Sequence, residues 1–222
     1  MLCPLFYPPL KTEQLLFVGM NPSSSKEVAK VVQNDPDLGC DYYEFFHFKN
    51  ANSMNFQRAQ QIEGLLKQKY PFFSCFKMVS SEANLEWEHV DLFFFRQTSQ
   101  QQFKTRIFAN EMLGQLNEFG HDQLELSAWL IRQLKPRIIV VANALASRIF
   151  QRKFETRFVE EFGFYLTKIG DVDTPTFFCS MLTGQRALDK FSFERLKWHV
   201  RFALRQEPPA RIVDNEHPCS QL

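Results

Sequence analysis

The sequence predicts an α/β protein, a three-layer αβα sandwich about a mostly parallel sheet. Two observations carry that prediction. Four short runs, residues 15–18, 90–95 (VDLFFF), 138–141 (IIVV) and 176–179 (TFFC), are apolar almost without interruption, as strands covered on both faces are. Between them apolar residues recur at helical spacing, so strands and helices alternate along the chain.

Each element has its own warrant. The first strand, 14–19, runs straight into the turn GMNPSSS. A helix over 55–68 turns Ile62, Leu65 and Leu66 inward and precedes the second strand, 90–95. Leu124, Ala128, Ile131 and Leu134 mark a helix stopped by Pro136, just ahead of the third strand, 138–142. FGFYLTKIGDVDTPTFFCS reads as a hairpin in which 165–169 pairs with the fourth strand, 176–181, across 170–175. Ser192 is a candidate cap for a last helix with Phe193, Leu196, Val200 and Ala203 as its apolar stripe. Residues 1–205 then form one domain, and 206–222, with two adjacent prolines and mixed charge, an extended or disordered tail.

Composition excludes several classes. The 222-residue chain carries a formal net charge of +1, so polyanion binding would need a local patch. Its 25 phenylalanines predict a Phe-rich core. Five scattered cysteines without a C-x-x-C pair argue for a reducing compartment, against a disulfide framework and against a cysteine-held metal. His47, His89, His121 and His199 lack ligand spacing. The start, MLCPLFYPPL, is too short, proline-broken and uncharged for a secretion signal, and no run reaches membrane-spanning length. The expectation is a cytoplasmic protein with no metal, cofactor or membrane association.

A doubly wound sheet holds ligands at the carboxyl ends of its strands. Four segments fall there: GMNPSSS, RQTSQQ, ANALASR and SMLTGQRALD. Together they offer amides, hydroxyls and arginines, among them Arg96 and Arg186, but few acids. Each taken alone also reads as an ordinary strand-ending turn.

LLFVGMNPSS resembles the first motif of the uracil-DNA glycosylase superfamily, in particular the Gly-hydrophobic-Asn-Pro core of its mismatch-specific and single-strand-selective branches. KPRIIVVANALASRIF is similar to that superfamily's third strand and following helix, and TFFCSMLTGQRALDKFSFERL stands where its second motif should lie. The resemblance implies a four-stranded parallel sheet of order 2-1-3-4, DNA as the partner, and hydrolysis of the N-glycosidic bond of a damaged or mispaired base.

By that resemblance Asn21 is the catalytic position, orienting a water through its side-chain carbonyl, and Gly19 and Met20 let the base approach. An aromatic ring after the first motif would stack on the extruded base, with Phe46 chosen among Tyr43, Phe45, Phe46 and Phe48. Where uracil-reading members carry an asparagine after strand two, this chain has Arg96, a donor-only side chain. Where many carry a histidine in the second motif, it has Met181, Leu182 and Thr183, with Arg186 nearby to donate to an anion or a phosphate. Weak or absent uracil excision is the expected consequence, with hypoxanthine and xanthine the better substrates. Ser23 either contacts a phosphate or helps cap the next helix, and Lys190, Lys197 and Arg201 on the last helix form either a DNA-contacting or a solvated face. Two other readings stand beside the enzyme: a catalytically weak nucleic-acid-binding module of the same fold, and a nucleotide or anion enzyme whose Arg96 and Arg186 grip a phosphate, although no G-x-G-x-x-G or P-loop follows any strand.

Overall fold

The computed structural model describes residues 2–206, so that, apart from Gln206, the C-terminal tail expected over 206–222 lies outside the described residues. β1 (Leu15–Gly19) leads through the GMNPSSS turn into α1 (Lys26–Gln33), α2 (Tyr42–Phe45), α3 (Phe56–Lys69) and α4 (Ser74–Ala83), and the chain returns as β2 (Trp87–Asp91). Next come α5 (Gln100–Ile107), a small antiparallel pair β3 (Phe108–Asn110) and β4 (Gln115–Leu116), and α6 (Glu118–Leu134). After these follow β5 (Ile138–Ala142), α7 (Ala144–Lys153), β6 (Thr156–Val159), β7 (Phe164–Ile169), β8 (Val172–Cys179) and α8 (Lys190–Ala203).

The central sheet has six strands in the order β2-β1-β5-β8-β7-β6. β2, β1, β5 and β8 run parallel, and the β8–β7–β6 end is antiparallel. The expected sheet of four strands is thus extended, because the hairpin adds β7 and β6 to the edge of β8.

β1 is apolar throughout because both its faces are covered. Leu16 and Val18 pack with the apolar stripes of α5, α6 and α7. Leu15 and Phe17 pack with Phe76 and Val79 of α4 and with Leu196 and Val200 of α8. A third cluster, built from Val28 and Val32 of α1, Tyr42 and Phe46, and Ala59, Ile62 and Leu66 of α3, takes in Cys3 from the N-terminal segment.

Three boundaries differ from expectation. The fourth strand, β8, starts at Val172 and ends at Cys179, not 176–181, so the hairpin turns over 170–171 and not across 170–175. The second strand is Trp87–Asp91, not 90–95. Leu92 and Phe93 still donate to the carbonyls of Gly19 and Met20 (3.1 and 3.0 Å), but Phe94 N–H turns away to Gln123 Oε1 at 3.0 Å. The FFF run is buried as a loop packed against α5 and α6, and burial alone does not distinguish a loop from a strand. The last helix is capped by Asp189, which accepts from the backbone N–H groups of Phe191 and Ser192 at 2.9 and 3.0 Å. Ser192 sits inside the first turn and donates its hydroxyl to Asp189 (2.6 Å). The 55–68 helix is α3, with Asn55 as its cap.

Cys3, Cys40, Cys75 and Cys179 are free thiols. No helix among the described residues is long and apolar enough to cross a membrane.

Phe17 is fully buried and its ring stacks on Phe76 at 4.2 Å between centroids. Phe17→Ala should therefore lower unfolding free energy by about 3–5 kcal/mol, measured by urea denaturation.

Candidate functional site

A cavity of about 550 Å³ opens at the carboxyl ends of β1, β2, β5 and β8, in the size range of small-ligand sites. Its floor is the GMNPS turn from Gly19 to Ser23, and Ala142 and Asn143 continue it after β5. Met181 and Arg186 bring in the segment after β8, and Gln97, Thr98 and Gln100 the loop after β2. Part of the remaining wall is aromatic: Tyr7 from the N-terminal segment, and Tyr70, Phe72 and Phe73 from the end of α3 and the turn into α4.

Asn21 is held tightly. Its Nδ2 donates to the carbonyls of Gln97 (2.6 Å) and Pro22 (3.2 Å), and Gln97 N–H in turn donates to the Pro22 carbonyl (3.1 Å). The amide thus latches the β1 turn to the β2 loop. Among the described residues these bonds use Nδ2 alone and leave Oδ1 without a hydrogen bond, on a residue that lines the cavity. The serines extend this latch. Ser23 Oγ lies 3.4 Å from Thr98 Oγ1, Ser24 N–H donates to the same hydroxyl, and Ser25 caps α1.

Gly19 is required, but for a neighbour that sequence reasoning missed. A methyl group there would overlap the Asp91 carboxyl and lie 2.8 Å from His89 Nε2. Asp91 and His89 are two residues apart on β2, so they share a face of the sheet. The Asp91 side chain is 4 % exposed, and its one ion-pair contact among the described residues is His89 Nε2 at 3.5 Å. Burial first, and Glu63 second, push the Asp91 carboxyl up to about 8, against the pull of Arg96. Burial, with Lys67 adding to it, depresses His89 to about 3. At neutral pH both groups are uncharged. The visible signal was the pair of polar residues at period two, His89-x-Asp91, just where a buried strand meets the rim.

Arg96 corrects the sequence reading most sharply. It borders the cavity, yet its side chain is 1 % exposed and each of its three nitrogens donates to the protein. Nη2 pairs with Glu63 of α3, Nη1 donates to Tyr42 Oη (2.9 Å) and Nε to the Cys3 carbonyl (3.2 Å). The guanidinium lies 4.3 Å from the Phe46 ring centroid. Burial pushes the Glu63 carboxyl upward and Arg96 pulls it back. Asn21, Arg96 and Arg186 do converge on the one cavity, but Arg96 reaches it with each nitrogen already bonded to protein, while Arg186 is exposed.

The other predicted residues divide. Met20 lines the cavity, and Arg186 stands exposed on its rim with Nη1 3.4 Å from Gln100 Oε1. Phe46 is fully buried beneath Arg96 and Phe45 packs against the third core, whereas Tyr43 and Phe48 are exposed, and none of the four lines the cavity. Thr183 is off the cavity too, its Oγ1 buried without a partner. Lys190 is exposed in the first turn of α8. Lys197 pairs with Glu194 (2.9 Å), and Arg201 with Glu82 at the end of α4. Glu82 lies near the amino end of β2, so Arg201 stands at the opposite end of the sheet from the cavity, and the expected DNA face over Lys197 and Arg201 is not presented there. The expected scarcity of acids is also corrected, since Glu63, Glu88 and Asp91 all line the cavity.

No protein-family profile matches this chain, and no curated protein shows significant similarity to it.

Two outcomes test this electrostatic arrangement. Arg96→Met strands the buried Glu63 charge and should cost about 3–5 kcal/mol of stability, most of it regained in the Glu63→Leu, Arg96→Met double variant. A single variant that melts like wild type would show that Arg96 is not structural. For Asp91, the folded state keeps a proton that the unfolded chain gives up near 3.8, so stability falls as pH rises from there to about 8. Asp91→Asn should remove that fall. Its melting temperature should exceed that of wild type by a margin that grows across this window and vanishes below it, as read in a thermal-melt series.

Proposed function

We propose that the chain is a DNA N-glycosylase-like hydrolase acting on a damaged or mispaired base held in the cavity at the end of β1. The observation that carries this reading is Asn21, whose Nδ2 is pinned by two carbonyls while Oδ1 stays available beside the cavity. A neutral amide oxygen can orient a water without deprotonating it. In the reaction the C1′–N bond breaks with both electrons leaving on the base, the water oxygen bonds to C1′, and the water proton passes to solvent. The aromatic wall of Tyr7, Tyr70, Phe72 and Phe73 suits an extruded base, for which stacking replaces what the duplex gave up.

The parallel run β2-β1-β5-β8 supports the reading, being the 2-1-3-4 order that the glycosylase resemblance implies for its four strands. Arg186 and Lys190, exposed at and beyond the rim, are the cations placed to meet backbone phosphate. With Arg96 engaged in the wall, one of the two grounds for expecting poor uracil excision weakens while the missing second-motif histidine remains, so uracil belongs in the substrate panel beside hypoxanthine and xanthine. A nucleic-acid-binding module with little catalysis is the alternative, favoured by the structural duty that Asn21 already performs.

An abasic-site cleavage assay on oligonucleotides carrying each base separates the two. Wild type should release at least one base, and Asn21→Ala should lower that rate by about a hundredfold or more. The stability loss from its two missing hydrogen bonds should stay near 1–3 kcal/mol. Equal rates would refute the role of Asn21, and retained DNA binding without any release would favour the module.

A further inference from the structure

We propose that Asp91 reads the ligand as a neutral acid, donating through one carboxyl oxygen and accepting through the other, and so selects a heterocycle edge with a carbonyl beside an N–H. The inference rests on the base-binding reading of the cavity and adds the residue that chooses the base. Asp91 lines the cavity and is almost fully buried, and its ion-pair contact among the described residues is His89, an imidazole that burial disfavours as a cation. The nearest guanidinium, Arg96, is spent on Glu63, Tyr42 and Cys3. Lys67 is likewise spent on Glu88 (2.5 Å).

The surroundings leave Asp91 as the group that changes charge between neutral and mildly alkaline pH. Facing it are His89 of β2, Glu63 of α3 with its partner Arg96, and Tyr7 of the N-terminal segment, whose hydroxyl accepts from Asp91 N–H at 2.7 Å. Lys67 acts through His89, which burial keeps neutral. Burial and the proximity of Asp91 hold the Tyr7 hydroxyl protonated well beyond the ordinary range. Glu63 and Arg96 neutralise each other.

A carboxylate has acceptors only, whereas a carboxylic acid has one donor and one acceptor, the hydrogen-bonding equivalent of an amide. Ionising Asp91 would therefore set it against the carbonyl it had been bonding. A base edge with a carbonyl next to an imino N–H, as in uracil or hypoxanthine, fits the neutral acid on both atoms. Gly19 gives the carboxyl the room to sit at the cavity floor.

The test is equilibrium binding of 1-methyluracil and 9-methylhypoxanthine to the whole protein from about pH 6 to about pH 9. Wild type should bind at least one probe at the low end and lose affinity about tenfold per unit above about 8. Asp91→Asn, which offers donor and acceptor at every pH, should bind without that loss, and it shares any ionisation of the probe itself. Asp91→Ala should bind at least about tenfold more weakly. 1,3-Dimethyluracil, whose N–H is blocked, should bind more weakly than 1-methyluracil. A flat wild-type profile, an Asp91→Asn profile as steep as wild type, or no binding of either probe would overturn the inference. Base release from oligonucleotides with a flat profile in both proteins would leave the glycosylase reading standing and remove this one. Probe binding with the predicted profile but no release would do the reverse.

Discussion

The buried guanidinium of Arg96 is the contact on which the cavity depends. It joins four parts of the chain that the sheet does not hold together: the N-terminal segment through the Cys3 carbonyl, α2 through Tyr42, α3 through Glu63, and the loop after β2 from which it comes. The aromatic faces of Phe46 and Tyr42 complete its surroundings. Removing a cation from water is costly, and the cost is met only when its hydrogen bonds and counter-charge are supplied together. The position of the third core, and with it the wall carrying Tyr7 and Tyr70, follows from that requirement.

The same low-polarity setting acts on β2 as well. Glu63 has the Arg96 guanidinium in direct contact, while the ion-pair contact of Asp91 among the described residues is His89 at 3.5 Å. Burial pushes both carboxyls upward and Arg96 pulls against it at each. The Asp91 carboxyl is packed beside Gly19 at the cavity. Gly19 makes that packing possible, because any side chain there would occupy the space of the Asp91 carboxyl.

The exposed cations follow a third logic. Lys69 with Asp35 and Arg201 with Glu82 join separate parts of the chain, whereas Lys197 with Glu194 lies within α8. Exposed pairs of this kind add little stability individually, up to about 1 kcal/mol. They do, however, neutralise the faces on which they lie. Arg186 at the rim and Lys190 beyond it are exposed and outside these pairs.

The sequence by itself determined the layered α/β architecture. Doubly buried strands, helical periodicity, the Asn55 cap and the Pro136 stop are all local patterns, and local patterns survive into the fold. It also determined that the turn at Asn21 would end a buried strand at the carboxyl rim. Only the tertiary structure decided what each charged or aromatic side chain at that rim does. Arg96 meets partners 33, 54 and 93 residues away. Asp91 owes its protonation to burial and to Glu63 on α3. Phe46 is core because α2 turns it inward, whereas Tyr70, Phe72 and Phe73 reach the cavity from a turn far from any motif. Periodicity reports which face of an element is apolar. The environment of a single polar group is set by neighbours distant in the chain, and no short stretch of sequence contains them.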